Sequence, residues 1–93
     1  MANKSAFTPA EVAAWMLAAL EHDGTLYQID AVSEIEKRFG LDFLPDNENG
    51  NLSIRRDVLA AFRKLSDANV VWERGERMWR KRQGYDSKGR QQD

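Results

Sequence analysis

No cysteine occurs among the 93 residues, which excludes a disulfide framework, a thiolate nucleophile and any cysteine-ligated metal, and fits a reducing compartment. Histidine occurs once, as His22, at the end of the first expected helix. A lone imidazole at that position suits stabilisation of a helix C-terminus better than catalysis, even beside Glu21 and Asp23. Glycine-rich phosphate loops are missing, and Glu34 and Glu36 lie two apart on a helix, so they point apart and form no acid–base dyad. These gaps lead to an expected non-enzyme with no cofactor, no metal and no small-molecule substrate. No apolar run approaches the roughly 18 residues that span a bilayer, and the opening "MANKSAF" lacks the apolar core of a secretory signal. The expected location is the cytoplasm, with no membrane partner.

What is present suits one soluble domain. Hydrophobic residues make up 42% and charged residues 31%, both ordinary for a globular fold, and a chain this short has room for a single core. The expected division is a flexible stretch over residues 1–6, a domain over 7–83 and a polar tail over 84–93 that frays beyond Tyr85. Net charge is −1, but its distribution is uneven. Residues 1–51 hold three basic and nine acidic side chains, a balance of −6; residues 52–93 hold eleven and six, a balance of +5. Either the second half offers a basic face to an anionic partner or the two halves attract each other.

Local signals then place the elements. In "FTPAEV", Thr8 is an expected N-cap, Pro9 suits the first helical position, Glu11 completes a capping box, and Phe7 and Val12 are spaced as a hydrophobic staple. Val12, Trp15, Met16, Ala19 and Leu20 share one face, leaving Ala14 and Ala18 opposite with Leu17 at the edge. "TLYQI" reads as a short strand after Gly24. Asp30 is the expected cap of a second helix to Phe39, with Val32, Ile35 and Phe39 inward. Ser53 is the expected cap of a third helix to Ser66, burying Ile54, Val58, Leu59, Phe62 and Leu65. "VVWERGERMWRKR" predicts a β-hairpin turning at Gly75 and Glu76, the register that sets Trp72 opposite Trp79.

The loop "LPDNENGNLSIRR" has partial calcium-loop spacing, with Asn47, Asn49 and Ser53 as candidate ligands around Gly50. However, Pro45 and Arg56 occupy the first and twelfth positions, where oxygen ligands are required, so calcium is not expected. The loop reads instead as a connection with a tight turn at Asn49 and Gly50, pinned to the core by Leu41, Phe43 and Leu52.

The order helix, strand, helix, helix, hairpin resembles the winged-helix fold over residues 7–82, an α+β, mainly helical class. The segments "GTLYQ", "FG", "NENGN", "VVWER" and "WR" also resemble a group of small uncharacterised bacterial proteins, some of them products of mobile gene cassettes (integron cassette proteins). The winged-helix resemblance implies duplex DNA binding through the third helix (Arg55, Arg56, Arg63, Lys64) and the hairpin wing (Arg74, Arg77, Arg80, Lys81, Arg82). Two features pull against it: a twelve-residue connection over 41–52, against the usual turn of about three or four residues, and a pI near 5.8. On the bland alternative the arginines form a solvated surface partly paired with Asp57, Glu73 and Glu76. The competing function is a protein interaction module or homodimer that uses Ala14, Leu17 and Ala18 with Trp72 or Trp79, the loop apolar residues Leu41, Phe43 and Leu44 adding to that case.

Overall fold

A computed structural model describes residues 7–46, 50–86 and 88–92. Its elements are α1 (Pro9–Asp23), β1 (Thr25–Tyr27), α2 (Gln28–Phe39), α3 (Arg56–Ser66), β2 (Val70–Glu73), β3 (Met78–Lys81) and β4 (Gln91–Gln92). The strands form one mixed sheet in the order β1-β3-β2-β4. This is an α+β domain with the expected succession of elements and one additional strand.

α1 starts as its sequence dictates. Thr8 Oγ1 accepts from the Glu11 amide (3.1 Å) and Glu11 Oε1 accepts from the Thr8 amide (2.8 Å), so two amides that the helix cannot satisfy are satisfied locally. Gly24 ends the helix at φ +84, a left-handed conformation that glycine adopts without a Cβ clash. Phe7 meets the Phe39 ring edge-on at 4.8 Å, tying the start of α1 to the end of α2. Val12, Ala13, Met16 and Leu20 are buried, while Trp15 and Ala19 pack at the margin.

α2 begins two residues before the expected Asp30 cap. The Gln28 amide donates to the Arg77 carbonyl (2.9 Å), so the hairpin supplies from a distance the acceptor that a capping side chain would supply locally. Ala31 and Ile35 are its buried residues, with Val32 and Phe39 packed beside them.

The connection to α3 is folded back on itself. A 3₁₀ turn at Leu41–Phe43 buries Phe43, Leu44 follows it into the core, and Asp46 bridges Leu52. Leu41 is 59% exposed, so of the predicted anchors Leu41, Phe43 and Leu52 the last two pack on the core, joined by Leu44. Ser53 does not cap α3: its amide and its hydroxyl both donate to the Pro45 carbonyl (2.8 and 2.9 Å), closing the loop instead. α3 starts at Arg56 with Arg55 in the cap position. Gly50 has φ +80; the rest of the predicted turn, and the ligand-like Asn47 and Asn49, lie outside the described residues.

α3 packs against α1 and the sheet through Val58 and Phe62, both fully buried, whereas Leu65 is half exposed. Ser66 takes the buried position there, its hydroxyl donating to the Phe62 carbonyl (2.7 Å). In the sheet, Trp72 faces Trp79 as the hairpin pattern predicts, with ring centroids 4.7 Å apart, and Leu26 of β1 flanks Trp79 on the other side. Trp79 meets Phe62 edge-on at 5.4 Å, which seats α3 on the sheet.

The tail does not fray after Tyr85. Gln91–Gln92 add to β2 as a parallel edge strand, with the Trp72 amide donating to the Arg90 carbonyl (2.7 Å) and the Arg74 amide to the Gln92 carbonyl (2.9 Å). Edge pairing of this kind satisfies backbone groups that β2 would otherwise expose.

Candidate nucleic-acid interface

The nine cations expected at a nucleic-acid surface divide into two sets. Three are held by the fold. Arg55 forks onto Asp57 (two contacts of 2.8 Å), donates to the Asp42 carbonyl (3.0 Å) and lies over the Phe43 ring at 4.8 Å. Its contacts staple the loop to the start of α3, and they hold Asp57 below and Arg55 above their ordinary pKa values.

Arg80 is the most constrained. Its side chain is 12% exposed and bridges Glu73 (2.6 Å) and Asp86 (2.7 Å), the latter 3% exposed. Both guanidinium nitrogens contact Asp86, a forked geometry that point-charge lysine could not reproduce. The Asp86 carboxyl is held down to about 2, first by Arg80 and then by the Gln83 amide (2.6 Å). Asp86 raises the Arg80 guanidinium pKa above its ordinary range, with Glu73 adding to the effect. Arg82 donates to the carbonyls of Ala68 (2.6 Å) and Gly89, tying the end of the hairpin to the tail. The predicted pairings of arginine with Asp57 and Glu73 are therefore found, and Arg55, Arg80 and Arg82 serve the fold where an external contact was expected.

The other six stand outward. Arg56, Arg63 and Lys64 are exposed on α3, and Arg56 and Arg63, seven residues apart, share one face two turns along the helix. Arg74 and Arg77 are exposed in the turn of the hairpin, where Arg77 has φ +53, and Lys81 is exposed at the end of β3. Among the described residues Arg56, Arg63, Lys64, Arg77 and Lys81 form no ion pair.

Between α3 and the hairpin runs a groove. One part, of about 310 Å³, is lined by Leu59, Phe62, Arg63, Trp72, Trp79, Arg90, Gln91 and Gln28. A more open part is lined by Gln28, Trp72, Arg74, Gly75 and Arg77. Gln28 and Trp72 line both, so the two parts adjoin, and among the described residues no carboxylate lines either. Trp72 is half-buried where they adjoin; Trp79, the other tryptophan expected at a protein interface, is 6% exposed and belongs to the core.

Arg90 was missed by sequence reasoning because it sits in a tail expected to fray. Its guanidinium lies over the Phe62 ring at 5.4 Å and donates to Ser66 Oγ (3.0 Å). Burial pushes its pKa below the ordinary arginine range, and the charges of Arg63 and Arg82 push it the same way. Two guanidiniums, those of Arg63 and Arg90, therefore line one end of the groove.

The predicted protein interface is divided. Ala14 and Ala18 are exposed on α1 and Leu17 is half-buried against the core, on a different element from Trp72. His22 contacts its neighbour Asp23 (2.7 Å) at the end of α1. Among the described residues no three histidine or carboxylate side chains gather as a metal-binding group, and no helix is long and apolar enough to cross a membrane.

Searches of curated proteins and of solved structures returned no match. The model of a family of unknown function, DUF6953, matches residues 8–81, which runs from the cap of α1 to the end of β3, and the chain belongs to that family.

Proposed function

We propose that this domain is a non-enzymatic, cytoplasmic binding module that contacts duplex DNA through α3 and the hairpin turn. The observation that carries this reading is a groove with no lining carboxylate among the described residues, bordered by Arg63 on α3 and by Arg74 and Arg77 on the hairpin, with Arg56 on the same helix face as Arg63. Arginine suits both phosphate and guanine edges, because its planar fork donates two parallel hydrogen bonds. The resemblance to winged-helix proteins supports the same reading, since their third helix and wing are the DNA-contacting elements. In the described part of the connection before α3, Ser53 donates to the Pro45 carbonyl and Arg55 to the Asp42 carbonyl, on the amino-terminal side of the helix.

The overall charge of −1 does not oppose local binding. Screening confines charge interactions to about 8–10 Å in physiological salt, so a partner at the groove responds to the charges near it more than to the net charge of the chain. The test is a fluorescence anisotropy titration of labelled duplex over a range of salt. If Arg56, Arg63, Arg74 and Arg77 each neutralise a phosphate, log K falls against log salt with a slope of about −3.6. No binding at about 50 mM salt would remove the proposal. A second reading, a protein partner or second copy on the outer face of α1, draws on the exposure of Ala14 and Ala18.

A further inference from the structure

We propose that the closed end of the groove, between α3 and β4, receives one unpaired nucleotide of a single-stranded nucleic acid, its base against Trp72 and its phosphate between Arg63 and Arg90. This deepens the nucleic-acid reading above and rests on it for the origin of the strand.

Four observations converge on the site. First, its floor and wall are aromatic and apolar: Trp72 is half-buried at the junction with the open part, and Phe62 and Leu59 line the side given by α3. A half-buried indole leaves surface against which a flat ring can stack, and base–aromatic stacking accepts any base. Second, the volume of about 310 Å³ lies at the lower end of the range of about 300–1,000 Å³ for small-molecule sites. That volume is on the scale of a single nucleotide.

Third, the charge is one-sided. Arg63 and Arg90 both line the site, neither forms an ion pair among the described residues, and no carboxylate lines it. Among the described residues Arg90 donates to neutral oxygens, Ser66 Oγ (3.0 Å) and the carbonyls of Asp67 and Val70 (3.4 Å each), so its charge is oriented without being cancelled by them. An entering phosphate supplies the missing counter-charge. Fourth, Gln28 and Gln91 line the site, and a carboxamide can both donate to and accept from the edge of a base. The open part of the groove continues past Trp72 to Arg74 and Arg77, which gives the rest of a strand a cationic path.

The β4 strand is what closes the site. It brings Arg90 and Gln91 against β2, directly beside Trp72, whose amide donates to the Arg90 carbonyl.

The experiment compares a labelled single-stranded DNA of mixed sequence, the matching duplex, and a duplex with a short single-stranded overhang, each titrated against the full chain while tryptophan emission is followed. Single strand and overhang are expected to quench tryptophan emission, and the overhang to bind more tightly than the blunt duplex. Trp72→Ala is expected to weaken single-strand binding by about fivefold or more. Because that variant also loses its cross-strand partner Trp79, Trp72→Phe provides the second arm: it keeps a stacking ring, so binding is retained while quenching is lost. Single-strand binding with no change in emission, and with unchanged affinity in Trp72→Ala, overturns the inference. Blunt duplex binding with no response to single strand or overhang also overturns it and leaves the duplex reading intact. Single-strand binding that depends on Trp72 with no duplex binding at all upholds the nucleotide site and removes the duplex reading.

Discussion

Reversing Arg56 and Arg63 together, as Arg56→Glu/Arg63→Glu, is expected to weaken duplex binding by about 100- to 1,000-fold at low salt. The estimate follows from elementary electrostatics. A unit charge about 4 Å from a phosphate in water is worth on the order of 1 kcal/mol, and each reversal turns that attraction into an equal repulsion. Two sites then sum to about 4 kcal/mol, close to three decades in affinity. The fold should tolerate the change. Both residues are exposed, neither makes an ion pair among the described residues, and glutamate at the first position of α3 favours the helix dipole. An affinity within threefold of the wild type, at about 50 mM salt, would show that this face does not meet DNA.

The second large effect concerns Arg80. Replacing it by methionine, Arg80→Met, keeps the volume of the stem and strands two carboxylates: Asp86, 3% exposed, and Glu73, 22% exposed. Removing one partner of a buried pair is more damaging than removing both, because the remaining charge has lost its counter-ion without regaining water. A fall of about 10 °C in thermal midpoint is expected for a domain of this size. The amides of β4 should exchange faster as well, since Arg80 and Asp86 fix the turn that leads the chain back to β2. Acid should have a related effect. The Asp86 carboxyl is lowered from 3.8 to about 2 by Arg80 and the Gln83 amide, so its contribution is complete above about pH 4 and is lost as pH falls through 2. Circular dichroism and hydrogen exchange measure these changes; an unaltered midpoint and unaltered β4 exchange in Arg80→Met would mean that the ion pairs do not hold the tail.

These two predictions concern different arginines because the structure sorts residues that the sequence presents alike. Arg56 and Arg80 both read as cations in a basic half, yet one faces water and the other is enclosed. Composition cannot separate them, because the partner that encloses Arg80 is in the tail, six residues away across a turn with no local signature. Where cause and effect were close in the chain, the sequence was sufficient. The capping box of α1 depends on residues three apart, and the Trp72–Trp79 register depends on the placement of one turn. The predicted caps at Asp30 and Ser53 failed for the opposite reason. Gln28 finds its acceptor on Arg77 and Ser53 finds its acceptor on Pro45, contacts made only once the chain has folded.

The groove followed the same division. Its cationic sides were legible from the third helix and the hairpin, and Trp72 was legible as a residue of uncertain burial. Its closed end was not, because Arg90 and Gln91 lie in a polar segment whose composition predicts fraying. A two-residue strand carries almost no propensity signal; what fixes it is pairing with β2 and the contacts of Arg80 and Arg82 around it.

The most direct measurement is a map of backbone amide and indole chemical shifts in the isotopically labelled chain, titrated with duplex DNA at about 50 mM salt. DNA binding by α3 and the hairpin predicts shifts concentrated in residues 56–64 and 74–77 and in the Trp72 indole, with Ala14 and Ala18 of α1 unmoved. A spectrum that does not change, or changes confined to the outer face of α1, would contradict it.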